Sequence, residues 1–92
     1  MGKVKVVHYL NQFFAGIGGE EKADTLPHIA ESQPPISQQL QKLIEEDAEI
    51  VGVVVCGDSY FNENLEEAKA KVLEMIKSFN PDILIAGPAF NA

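Results

Sequence analysis

Ile50–Cys56 reads IVGVVVC, an apolar run broken only by Gly52 and set between the acidic stretch Glu45–Glu49 and Gly57. A run of strand length without polar alternation is the pattern of a strand covered on both faces, as in a parallel sheet flanked by helices. It is expected to be the central strand. Before it, Ile36, Leu40, Leu43 and Ile44 recur at helical spacing between Pro35 and Glu49, which predicts an amphipathic helix started by Pro34-Pro35. After it, Leu65, Ala68, Val72, Met75 or Ile76, and Phe79 mark a second helix. Asn62 or Asn64 is its expected N-cap, Glu63, Glu66 and Glu67 sit near its positive end, and Asn80-Pro81 closes it. Further out, Lys3–Leu10 (KVKVVHYL) reads as a first strand that begins towards solvent, and Ile83–Ala86 as a short third one.

The expected order is β, loop, α, β, α, β. This is an α/β fold with a small three-stranded parallel sheet, a Rossmann-like half whose right-handed crossovers lay a helix layer on the sheet. Strand orders 2-1-3 and 3-2-1 both satisfy those crossovers. Residues 1–92 are read as a single α/β domain. Three strands leave two open edges, and the chain stops at Phe90-Asn91-Ala92 before any helix covers the last strand, so the expectation is self-association through the edges or membership of a larger subunit. Asn11–Pro35, with Gly16, Gly18 and Gly19 and no sustained period, reads as one long loop.

Composition narrows the partners. The net charge is −7, from 14 acids against 7 basic residues, and none of the basic residues is arginine. The bidentate fork that grips phosphate and guanine is missing, so nucleic acid is excluded as an expected partner. No apolar run approaches the roughly 18 residues that span a bilayer, and the N-terminus lacks signal-peptide character. Val6 stands where a myristoylation site needs Ser or Thr. The single cysteine, Cys56, can form neither an internal disulfide nor a multi-cysteine metal site, and the expected location is cytoplasmic. No metal and no cofactor is assigned.

Ligands of open parallel sheets bind outside the carboxyl ends of the strands. Three unusual segments follow the three strands. Asn11, Gln12, Phe13, Phe14, Gly18, Gly19, Glu20, Glu21 and Lys22 follow the first. Cys56, Gly57, Asp58, Tyr60 and Asn62 follow the second, and Gly87, Pro88, Phe90 and Asn91 the third. These are the candidate substrate-binding or contact residues, and none is assigned a catalytic role. Gly16-Ile17-Gly18-Gly19 lacks the spacing of a phosphate-binding fingerprint, and turn glycines explain it as well as a ligand loop does. Phe13, Phe14 and Ile17 are apolar in a loop, which calls for a pocket, a partner surface or a ligand. Three adjacent charges at Glu20–Lys22 are ordinarily solvated, and Asp58 serves equally as a turn or capping residue. His8 reads as a structural strand residue. Cys56 acting as a nucleophile would need a depressed thiol pKa, a reading ranked below burial at the end of an apolar strand.

The stretches VVHYLNQFFAGIGGEEKAD (Val6–Asp24), VCGDSYFNENLEEA (Val55–Ala68) and PDILIAGPAFNA (Pro81–Ala92) resemble the N-terminal part of the selenoprotein B subunit of glycine, sarcosine and betaine reductases. The likeness departs between Pro27 and Gln41, where the family tends to a glycine- and proline-rich turn. It implies a much longer subunit whose later part carries a selenocysteine or cysteine. In the implied reaction a selenol attacks the carbon bearing the amine, releases the amine and leaves a selenoether for transfer to a partner. This chain lacks that part, so what the resemblance implies for it is loops that bind a small amine or amino acid, or that contact other reductase subunits, without the redox centre. The alternative is a stand-alone, non-catalytic binding or assembly module of the same fold. A small enzyme built on Cys56 ranks last.

Overall fold

The structure is a computed structural model and describes residues 3–12, 14–22 and 24–86; of Glu20 only the backbone is described. Its parallel strands are β1 (Val4–Leu10), β3 (Ala48–Val55) and β4 (Ile83–Ala86), and a two-residue strand β2 (His28–Ile29) pairs antiparallel with β3. The sheet order is β2-β3-β1-β4. The expected sheet of three parallel strands is therefore a mixed sheet of four, and the three parallel members take the 2-1-3 arrangement. Of those three, β1 is the middle one. The Ile50–Cys56 run is interior because β2 covers its other edge.

Helices α1 (Pro35–Ile44) and α3 (Leu65–Ser78) pack on opposite faces of the sheet, not in one layer. On the α1 face, Val6, Leu10, Ile50, Val53 and Val55 are buried against Ile36, Leu40 and Ile44. On the other, Val7, Val54 and Cys56 meet Ala68, Val72 and Ile76, with Met75 and Phe79 half-buried beside them. Two covered faces explain why IVGVVVC shows no alternation.

The two faces of β3 do not follow a single period of two. Val6 pairs with Ile50 and Val7 with Gly52, so Val51 is an extra residue, a β-bulge. Ala48 and Ile50 face α1 before it, Val53 and Val55 after it. The side-chain phase changes from even to odd within the strand. At the bulge the Phe79 ring occupies the space a Cβ on Gly52 would take, which is why glycine stands there.

Pro35 opens α1 at N1 behind Pro34, where a missing N–H costs nothing. The helix ends at Ile44, before Glu45-Glu46-Asp47, whose charges are disfavoured at a helix C-terminus. Leu43, grouped by spacing with the apolar stripe, is instead 84% exposed, and Leu65 at the start of α3 is 50% exposed. The second expected helix, α3, begins at Leu65, where its apolar period begins. A short helix α2 (Asp58–Glu63) precedes α3, and Asn64 forms the bend between them. Asn62 lies inside α2. Asn64 makes no side-chain cap; its amide group donates to the Tyr60 carbonyl, a bond that closes α2. Asn80, with φ of 50°, turns the chain out of α3 in the left-handed region that asparagine tolerates.

The segment between β1 and α1 is not structureless. It holds a 3-10 turn at Glu20–Lys22 as well as β2. Thr25 O accepts from the Gly57 N–H at 2.9 Å, and Ala30 N–H donates to Val53 O at 2.9 Å, which ties the returning loop to the carboxyl end of β3. Among the described residues no helix is long and apolar enough to cross a membrane.

Candidate functional site at the carboxyl ends of the strands

β1 is followed by Asn11 and Gln12, both buried although both are polar. Burial of such amides is tolerable only when their donors and acceptors are paired. Gln12 Oε1 accepts from the Asp58 N–H at 3.0 Å and its Nε2 donates to Gly19 O at 3.2 Å. Its backbone oxygen accepts from the N–H groups of Ile17 and Gly18 at 3.0 and 3.3 Å. One side chain thus joins the glycine turn to the start of α2. Asn11 does the same nearby: Oδ1 accepts from the Phe14 N–H at 2.9 Å, and Nδ2 donates to Asp58 Oδ2 at 3.2 Å. The loops after β1 and β3 are brought together at Asp58.

Beneath this layer lie Cys56 and Tyr9. Cys56 is fully buried, and burial pushes its thiol from the ordinary 9.0 up to about 11, with the Tyr9 hydroxyl and the Asp58 charge close by. Tyr9 is raised in the same direction, first by burial and then by Cys56 and Asp58. A thiol held protonated is a poor nucleophile at neutral pH, so the environment runs against an enzyme built on Cys56. The Tyr9 ring also meets Phe61 of α2 at a centroid distance of 6.4 Å, inclined at 59°. Tyr9 was not singled out from the sequence. The signal was available, since alternation along KVKVVHYL places it near the carboxyl end of its strand, on the face opposite His8.

The other sequence-derived candidates divide. Gly57 is buried with its N–H on Thr25 O, and Gly18 and Gly19 border the Gln12 amide. Phe14 is half-buried against the α1-face core, so its apolar surface is largely spent on packing. Ile17 is 38% exposed and borders a 450 Å³ depression lined also by His28, Ile29, Glu31 and Pro34. Glu21 and Lys22 are exposed; the Glu21 carboxylate accepts from the Gly19 N–H at 3.2 Å and is held below the usual carboxylate range by backbone N–H donors. Tyr60 does not join the cluster. Its hydroxyl donates to Glu67 Oε2 of α3 at 2.9 Å, and that bond raises its pKa. Asn62 is exposed on α2. Phe13, Gly87, Pro88, Phe90 and Asn91 lie outside the described residues, as does the Glu20 side chain. His8 is buried on the α1 face with Nδ1 2.7 Å from Ser37 Oγ, away from the Asp58 cluster.

Comparison with known proteins adds the family. The chain is 73% identical over all 92 residues to the glycine reductase complex component B subunit gamma of Peptoclostridium acidaminophilum. It is 51% identical over 92 residues to the sarcosine reductase complex component B subunit beta of the same organism, and 38% identical over 88 residues to its betaine reductase complex component B subunit beta. These alignments take in 100%, 100% and 96% of this chain, but only 21%, 21% and 20% of the relatives' own lengths. No solved structure matches the chain. The family model for glycine/sarcosine/betaine reductase selenoprotein B matches residues 3–92, and the chain belongs to that family.

Proposed function

We propose that this chain supplies the carboxyl-end wall of a component B-type reductase subunit: loops that bind a small amino acid or amine, or that seat another reductase subunit, without the redox centre. The observation that carries the reading is the joining of the loops after β1 and β3 through Asn11, Gln12 and Asp58. In an open α/β sheet that is where ligands sit. Within it, the β1-α1-β3-α3-β4 unit is read as a Rossmann-like half, on the strength of its parallel strands and its helices on opposite faces. The relatives named above are components of glycine, sarcosine and betaine reductase complexes. Those three names point to small zwitterions bearing an amine and a carboxylate. Asp58 offers the charge for the cationic end.

The test is an NMR titration of the chain with glycine, sarcosine and betaine, alongside affinity capture of the other reductase subunits. Saturable shifts confined to the amides of Asn11, Gly18, Gly57 and Asp58, or capture of a subunit that Asp58→Asn weakens, support the reading. No shift with any of the three together with no subunit captured would overturn it.

A further inference from the structure

β4 reads Ile83-Leu84-Ile85-Ala86, apolar on both faces, yet it occupies the edge of the sheet. Ile83 and Ile85 share the face of Val6 and His8, while Leu84 and Ala86 share that of Val7 and Tyr9. Ile83 is 51% exposed and Leu84 45%. A strand apolar on both sides belongs inside a parallel sheet under two helix layers. Natural edges carry lysine, proline or a bulge to deter pairing, and the four residues of β4 carry none. The opposite edge, β2, is only two residues long and is followed at once by a bond back to β3.

Beside β4, on the α1 face, lies a 380 Å³ groove lined by His8, Ile36, Gln39, Leu40, Leu43, Ile85 and Ala86, with no lysine or carboxylate among them. Leu43 projects from its rim almost fully exposed. The groove and the strand edge form one continuous apolar surface.

We infer that this surface is the docking site for the remaining polypeptide of a component B subunit, which adds a strand parallel to β4 and lays a helix across the Leu43–Ile85 groove. This rests on the proposed function above. Two observations choose this occupant over a second copy of the chain. The relatives match this chain over only about a fifth of their length, so each carries ample further polypeptide. And two copies joined edge to edge by a two-fold axis would pair their β4 strands antiparallel, leaving Leu84 on one face and the groove on the other without a helix. A β-α unit supplies both the strand and the cover.

The experiment is maleimide labelling of Leu84→Cys and Leu43→Cys in this chain, and of cysteines at the matched positions of the full-length Peptoclostridium acidaminophilum glycine reductase subunit, each against its unsubstituted parent. Both positions are exposed here, so the variants fold. Labelling near the free-thiol rate in this chain and at least about tenfold slower in the full-length subunit supports the assignment. Equal rates in the two proteins overturn it. So does slow labelling already in this chain; if it speeds on dilution and sedimentation shows a dimer, the face belongs to a second copy. Protection at β4 without any ligand shift at Asp58 keeps the docking surface and removes the proposed loop function, so the two failures are distinct.

Discussion

Gln12 is buried, and its side-chain amide and its backbone carbonyl are both used. Its side chain accepts from Asp58 N–H and donates to Gly19 O, and its carbonyl anchors the turn at Ile17 and Gly18. Gln12→Ala therefore leaves two groups unpaired in a partly buried setting and is expected to cost about 1–3 kcal/mol in urea unfolding. Gln12→Glu keeps the acceptor but loses the donor and sets a buried carboxylate beside Asp58, so its penalty should shrink as pH falls and that new carboxyl takes up a proton. Gly52 gives a second test. Gly52→Ala drives a methyl into the Phe79 ring, which sits at the end of α3, and should cost about 1–3 kcal/mol. In a double-mutant cycle, Phe79→Leu should relieve part of that penalty, and additive losses would refute the clash.

At the scale of elements, the parts legible in the sequence are those long enough to carry a period or a continuous apolar run. Val4–Leu10, Ala48–Val55 and Ile83–Ala86 were readable for that reason, as was the Pro34-Pro35 start of α1. β2 was not, because two residues hold no period and His28–Ile29 become a strand only by pairing with Val54 and Val55. Opposed helices were equally illegible, since an apolar stripe says that a helix packs but not on which side. Of the site, the loop positions were readable from glycines and strand ends. The union of Asn11, Gln12 and Asp58 was not, because it spans some 46 residues of chain. β2 also governs how firmly the loop is held. Ala30→Pro removes the N–H that binds Val53 O, and amide exchange at Gly57, which is tied to Thr25 O in the same returning segment, should accelerate with it. Unchanged exchange at Gly57 would mean that the loop is held independently of β2.

For the molecule as a whole, the buried thiol makes stability depend on alkaline pH. Cys56 ionises near 9.0 when unfolded but only at about 11 when folded, so the unfolded state loses its proton first. Its contribution is fully present below pH 9 and is lost as pH rises towards 11. Tyr9, also raised by burial, extends the decline upward. Urea midpoints measured between pH 8 and 11 should fall, and Cys56→Ser should flatten the part of the curve below pH 10. Alkylation of native Cys56 at pH 8 should likewise track global unfolding rather than thiol chemistry.

The bulge at Val51 gives the thiol its address. If the ladder ran on regularly with Val51 opposite Val7, the composition of β3 would be unchanged and every strand still pairable, but all that follows in the strand would be inverted. Val53 and Val55 would turn towards α3, and Cys56 would leave Tyr9 for the side of the sheet that α1 covers. Stereochemistry at the mouth of the sheet is thus decided well below it, by a count of residues. A single inserted residue acts as the parity bit of the strand.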